Sequence, residues 1–548
     1  MILLETAKKN RVILLLVLLL MTFRGYLITD IDVLNYTRIL VVVLLLLLFA
    51  FDCYKKKGSS GAKEKSKLVL LKASYAEVAL FFLFAHFDYL YIYLWEYEYI
   101  WPSMIVRFLI NLTFSKGVLL LADKLLKTDF EEAHKEFYIH HKQVFDVVVY
   151  FMFGILLLAR MFYCTMIPGA IGDTTIIYYS YIVVISLLLV MAIVTLYDVE
   201  NRLWLLVYVG IIVFAIVHYG ISGNAIIFTM FMLMIAFIKR SPNVILLIFI
   251  FTSIFVSAAA FVLSDLRMVP DLIYFNSESL LDARHAMGII YPTDAAARIT
   301  YIVMAYCIIK KKELKWYNFI DYIALIMAFL LCKNYMIARS NMGWILITVV
   351  LTLLFQIFVG TRLRNIKVMH GIFKVLSLIC VPMFLFWGLI SHYYVINYEE
   401  GIDIPGSAII GKLFGMRSIY DRLSISKRMY TENPPTLLGN NIGGVGNGGT
   451  TVLPKEYTFI DISYMRFSII HGIIFAVIFL ALLTYLMFRL FRTKNYLAIA
   501  IIAVVAVSGF LDHHLEEWHY NIFATLVFAN LEMWKIDYGK KGKEKNSN

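Results

Sequence analysis

The chain has 548 residues, 61% of them hydrophobic and only 16% charged, with a mean hydropathy of +0.78. A soluble fold needs more polar surface than this, whereas a bilayer solvates apolar side chains directly, so a large soluble domain is excluded. The net charge of +12 does not point to nucleic acid, because the lysines and arginines fall in a pattern with another cause.

Lys8, Lys9 and Arg11 precede an apolar run with no small-residue cleavage pattern, so this start is expected to be a retained first helix rather than a signal peptide. From there on, apolar runs long enough to cross about 30 Å of hydrocarbon recur along the chain. They predict an all-α, polytopic transmembrane bundle of about 14 to 16 spans with one large external loop. The expected spans are 11–27, 38–54, 73–91, 101–121, 143–163, 176–197, 203–219, 224–238, 243–264, 294–309, 318–337, 342–359, 368–390, 461–488, 495–511 and 518–534. Residues 86–101, rich in Tyr and Trp, have the composition of a membrane interface.

Short loops with lysine and arginine stay on the cytoplasmic side. With a cytoplasmic N-terminus, Lys55–Lys57, Lys63–Lys67, Lys124–Lys142, Lys239–Arg240, Lys310–Lys312, Arg362–Lys367, Arg489–Lys494 and Lys540–Lys545 all fall inside. The opposite loops, Thr29–Tyr36, Thr165–Thr175 and Tyr219–Asn224, are almost free of them. Both termini are therefore expected in the cytoplasm, and topology accounts for the basic balance.

Five regions follow: N-terminal helices (1–142), core helices with outer-face arginines (143–391), a large extracytoplasmic loop (392–459), C-terminal helices (460–535) and a basic tail (536–548). A second external segment runs from about 264 to 292. In the large loop, 408–431 reads as a helix on the membrane surface. The Gly- and Asn-rich run Leu438–Gly449 reads as a flexible turn, with anion binding through its N–H groups as the alternative.

Charge at the outer ends of spans is costly in lipid and calls for a function. Arg284, Arg339, Arg417 and Arg422 all fall on the expected outer side, where cations are otherwise scarce. Guanidinium forks match phosphate oxygens and stay charged, so these four are the candidate ligands of a lipid diphosphate. Each also has a structural reading. Arg417 can pair with Asp421 one turn on, Arg422 can snorkel, and Asp282 can neutralise Arg284.

Asp461 opens the helix after the large loop, either as an N-cap or as a base. Near the end, Asp512-His513-His514-Leu515-Glu516-Glu517 lies at an outer boundary. Helical spacing would put His514, Glu517 and Asn521 on one face. Donors for a metal are present without a standard motif, so no metal is assigned. Cys53, Cys164, Cys307, Cys332 and Cys380 lack any paired spacing, so neither disulfide nor zinc site follows. Walker A, Rossmann and G-x-S-x-G motifs are absent, which leaves nucleotide-driven pumping and serine hydrolysis without support.

Four patterns now stand together. They are Arg284, Gly288 and Tyr291-Pro292-Thr293; Arg339-Ser340; Arg422-Leu423-Ser424 running through Pro434-Pro435 to Leu437-Leu438-Gly439; and Asp461, Tyr464 and Gly472. Over roughly residues 200–535 this resembles the O-antigen ligase and Wzy-type polysaccharide polymerase superfamily. Thr293 stands where the first motif usually has Asn, and the second motif has Arg and Ser in reversed order. The ligases carry a histidine in the external loop, and the equivalent place here holds Asp461, which favours a polymerase.

The resemblance implies polymerisation of undecaprenyl-diphosphate-linked repeat units at the outer face of the bacterial cytoplasmic membrane, in capsule, O-antigen or exopolysaccharide synthesis. Neither cofactor nor metal is required. Asp461, Arg422, Glu516 and Glu517 become the candidate catalytic residues, with His285, Tyr464, His514 and Asn521 in support. The substrate is a lipid-linked oligosaccharide, the surroundings are membrane lipids, and a flippase and a chain-length regulator are candidate partners. The alternatives are an O-antigen-type ligase, a flippase or transporter of the same lipid-linked oligosaccharide, and a sensor or scaffold. A transporter should show internal repeats and midplane charge, and the sequence shows neither clearly.

Overall fold

The computed structural model describes residues 138–536, apart from 173, 223, 277–278, 311–315, 361–365, 400–415, 441, 443 and 451–456. The four spans expected before residue 138 and the basic tail lie outside the described residues. The chain divides into two compact units, residues 1–147 with 179–205, and residues 148–178 with 206–548. In the first, the Lys142 ammonium lies 3.3 Å from the Asp198 carboxylate, and Tyr138 stacks on Phe145.

The described residues are mostly helical: α1 (Lys142–Tyr163), α2 (Ile167–Ile171), α3 (Thr175–Thr195), α4 (Arg202–Ser222), α5 (Ala225–Ala236), α6 (Pro242–Asp265), α7 (Pro292–Ile309), α8 (Trp316–Leu331), α9 (Arg339–Gly360), α10 (Lys367–Cys380), α11 (Met383–Ile396), α12 (Met416–Glu432), α13 (Ser463–Ile469), α14 (Ile473–Thr493) and α15 (Tyr496–Ser508). Among the described residues, seven stretches are long and apolar enough to cross a membrane: Lys142–Tyr163, Ser180–Asp198, Leu203–Ser222, Pro242–Asp265, Phe319–Met336, Arg339–Val359 and Ile473–Thr493. The pair α10 and α11, bent by 46° at its break, makes an eighth if it is one span. This is the signature of a multi-pass membrane protein.

Local chemistry sets the helix ends. Asn224 caps α5 by accepting from the N–H groups of Ile226 and Ile227, and Asn495 caps α15 through Ala498 N. Pro242 and Pro292 stand at the first turns of α6 and α7, where a missing N–H costs nothing.

Several expected spans turn out differently. The span expected at 224–238 is α5, a 12-residue helix whose side chains from Ile227 to Ala236 are buried. The one expected at 294–309 is α7, present but interior, packed on α6 and α9 with Asp294 and Arg298 buried. The single span expected at 461–488 is broken in two at Gly472, whose φ of +94° no helix adopts. A Cβ there would meet the backbone N of Gly439 at 2.3 Å. Gly439, itself at φ +96°, crosses the same spot from the large loop. The crossing lets loop carbonyls replace the missing first turn of α14, since Ile473 N and Ile474 N donate to Thr436 O and Leu437 O.

The span expected at 518–534 is not an α-helix. It is a pair of 3-10 segments, Ile522–Phe528 and Leu531–Trp534, buried against α5, α6 and α14. Irregular backbone is tolerated at membrane depth only when protein shields it. Its open groups find protein partners: Arg489 donates to Val527 O and Ala529 O, and Asn530 N donates to Arg240 O. Two residues from the basic clusters thus meet at one end of this unit. The opposite end carries an antiparallel hairpin of β1 (Ile273–Asn276) and β2 (Ser279–His285), in register Tyr274 to Arg284, together with α12.

Candidate functional site

At the hairpin end, Asp271 fixes the base of the turn. Its Oδ2 lies 2.5 Å from His285 Nδ1, and its Oδ1 accepts from Met287 N, which stands at φ +51°. The Tyr274 hydroxyl donates to Asn447 O and Thr450 O, and Gly449 N donates to Ile290 O, so hairpin and Gly-rich turn are laced together. Several described amides of that turn are spent on protein acceptors. Gly439 N goes to Thr436 Oγ1, Asn440 N to Ile469 O and Ile470 O, Ile442 N to Asn440 O, and Val445 N to Thr458 Oγ1. These bonds pin the turn at both ends to the protein.

Beside it, four chain segments converge. From α12, Arg422 Nε lies 3.7 Å from Asp461 Oδ2. From the turn after α15, His513 Nδ1 lies 3.9 Å from Asp461 Oδ1, and its Nε2 lies 3.9 Å from Glu517 Oε2. His514 Nδ1 is 3.0 Å from Glu517 Oε2, while its Nε2 faces Asp294 Oδ1 of α7 at 3.8 Å. Phe459 closes one side, edge-on to His513 and beneath the Arg466 guanidinium. The Asp461 side chain keeps 25% of its surface open, against 14% for His513 and Glu517, so the opening lies over Asp461.

A second pair lies under this floor. Arg466 of α13 donates to Glu516 Oε1, and the Glu516 side chain is only 2% exposed. Glu516 is thus a buried partner of Arg466, away from the opening. Burial raises its carboxyl, against Arg466, to about 7. Burial also raises Asp461, opposed mainly by Arg422. At Glu517, burial pushes upward, but the His514 hydrogen bond and the neighbouring imidazoles outweigh it and hold the carboxyl well below its usual range. For His514, burial pushes down while Glu517 and the other carboxylates win, leaving it raised. Burial, then the His514 charge, depress His513 far below an ordinary imidazole.

Other expected residues fall elsewhere. Arg284 on β2 donates from Nε to Met336 O and lies over the Tyr291 ring. Arg339, the first residue of α9, is exposed and makes no described contact with the cluster. Arg417 lies in α12, but its side chain is outside the described residues. Tyr464 is core: its hydroxyl donates to Ala506 O from a fully buried ring. Asn521 turns its amide to Leu515 O. His514, Glu517 and Asn521 do not share a helical face, because residues 509–521 form successive turns rather than a helix. Asp461 does not cap, since α13 starts at Ser463 with Ile462 in the cap position.

Asp294, Arg298 and Arg466 lie at this site and were not singled out as functional from the sequence, whereas His513 was read only as part of the run Asp512 to Glu517. Arg298, fully buried on α7, gives Nη2 to Met161 O and Cys164 O, the carbonyls at the end of α1. Two signals pointed to these residues: an acid directly after Tyr291-Pro292-Thr293, and an arginine within an apolar helix. Among the described residues, Cys164, Cys307, Cys332 and Cys380 are free thiols. No family model matches the chain, and neither the curated proteins nor the solved structures contain a match to it.

Proposed function

We propose that this chain is a polymerase of lipid-diphosphate-linked oligosaccharide repeat units, of the Wzy type, working at the outer face of a bacterial cytoplasmic membrane with both termini inside. The observation that carries this reading is the meeting of Arg422, from the external helix, with Asp461, on the connection into α13, at 3.7 Å beside the open side of the cluster. A cation that binds phosphate and a carboxylate that takes a proton thus stand together, one on the loop and one on the bundle.

In the reaction, the acceptor sugar hydroxyl attacks the anomeric carbon of the growing glycan. The bond from that carbon to the lipid diphosphate breaks, and the electron pair leaves with the diphosphate. Asp461 takes the hydroxyl proton. Arg422, released from Asp461 by the incoming anion, stabilises the charge that develops on the leaving group. Arg284 flanks the entrance through Tyr291. Glu517 holds His514 in place, and Glu516 anchors Arg466.

The test is purified protein with a synthetic prenyl-diphosphate repeat unit as the only sugar substrate. A ladder of products lengthening by whole repeat units, with release of prenyl diphosphate, is the expected result. Transfer to a lipid A-type acceptor without any ladder would identify a ligase instead. Movement of intact substrate across vesicles without transfer would identify a flippase.

A further inference from the structure

We propose that Asp294, His513 and His514 bind one divalent first-row transition-metal ion of the Zn2+ type. One donor atom from each residue lies within 4.8 Å of the other two. Three observations carry the argument further than proximity.

The first is the orientation of His514. Glu517 engages Nδ1 at 3.0 Å, which turns Nε2 toward Asp294 Oδ1 at 3.8 Å. A carboxylate on the far nitrogen of an imidazole is the usual outer support of a metal ligand. Between Nε2 and Oδ1, the separation is too long for a charge-assisted hydrogen bond of about 2.7–2.9 Å. Two ligands of a tetrahedral ion with bonds near 2.0–2.1 Å stand about 3.4 Å apart, so a small inward shift fits an ion between them.

The second is the lack of other partners. Asp294, with 10% of its side chain exposed, accepts no hydrogen bond among the described residues. Arg298, one turn along the same helix, spends Nη2 on the carbonyls of Met161 and Cys164 and forms no ion pair with Asp294. His513 has no hydrogen bond on either ring nitrogen among the described residues, its nearest carboxylates being 3.9 Å away. A mostly buried carboxylate at 3.8 Å from an imidazole nitrogen, with no hydrogen bond to either among the described residues, leaves room for a cation that both could ligate.

The third is the donor set. Two imidazoles and one carboxylate favour Zn2+ and its first-row neighbours over Mg2+ or Ca2+, which prefer oxygen ligands. Three protein ligands leave a coordination position open, as catalytic zinc sites do. Here the open side is shared with Asp461, 3.9 Å from His513. That position takes a water or a phosphate oxygen. The site does not depend on the glycosyl-transfer reading, because binding is measured directly.

The experiment uses the full chain purified in detergent, stripped with chelator, dialysed against Zn2+ and assayed for bound metal. One Zn2+ per chain is expected in the wild type and in His370→Ala, a histidine replacement away from the site. Asp294→Asn and His513→Asn should hold less than a tenth of that. Zn2+ should raise the melting temperature of the wild type and not of these two. Co2+ in place of Zn2+ should give the intense visible bands of a tetrahedral N/O site. His513→Asn is the decisive variant, because no hydrogen bond in the fold depends on that ring. If Asp294→Asn fails to fold, His513→Asn alone decides. Sub-stoichiometric Zn2+ in the wild type, equal Zn2+ in wild type and His513→Asn, or preference for Mg2+ would each overturn the proposal.

Discussion

At Asp461 no backbone N–H depends on the carboxylate, because Ile462 occupies the cap position of α13. Asp461→Asn and Asp461→Ala should therefore both insert at wild-type levels, and both should lose polymer, as read by a repeat-unit ladder. An active Asn variant would move the base to Glu517, the other partly open carboxylate of the cluster. For Arg422, replacement by Ala should lower turnover by roughly 10²–10³, the usual cost of removing one transition-state donor. Lysine should rescue only partly, because an ammonium lacks the planar fork. Arg466 behaves differently. Its ion pair with Glu516 is buried, so Arg466→Ala leaves an uncompensated carboxylate and should destabilise by roughly 3–5 kcal/mol. Thermal unfolding in detergent, compared with Arg466→Ala/Glu516→Leu, measures this. The double variant should recover most of the loss, since two apolar residues leave no buried charge behind.

Among the elements, the hairpin and the large loop owe their placement to backbone contacts that composition does not advertise. Gly472 belongs to the fourth sequence pattern, yet the break it makes was not legible, because a single glycine in an apolar run lowers helix propensity by only about 1 kcal/mol. Its meaning lies in Gly439, more than thirty residues earlier in the chain, whose backbone occupies the space a Cβ would fill. Gly472→Ala should therefore detach the loop from the start of α14. Faster protease cleavage within the loop, with the spanning helices still inserted, is the expected result. Asp294 was hidden for a related reason. Its facing imidazole, His514, sits more than two hundred residues away in sequence, so no local spacing could pair them. The long apolar helices were legible because length and hydropathy alone define them. Arg422 and Asp461 stood out singly because charge beside a membrane is rare, but nothing local to either signalled that they meet at 3.7 Å.

For the whole molecule, the hairpin, α12 and the carboxylate–histidine cluster gather at one end of the second unit, while Arg240 and Arg489 lie at the other. On the orientation argued from basic loops, a cysteine replacing Ser424 in α12 should react with an impermeant thiol reagent in intact cells. One replacing Lys367, at the start of α10, should react only after permeabilisation. Both belong in a background lacking the native cysteines, and the reverse pattern would invert the proposed topology. The 3-10 return Ile522–Trp534 adds a consequence for biogenesis. At about 2.0 Å per residue it reaches farther than an α-helix of equal length, but its carbonyls depend on Arg489 and its amides on Arg240. Such a segment cannot leave the insertion machinery as a free-standing helix in lipid. Its berth must already exist, so this segment docks onto protein that is already packed. Asp512 to Glu517 immediately precede it, and the cluster around Asp461 therefore closes only once it has docked. A chain ending at Ser508 should enter the membrane with its long helices in place and be inert from the start.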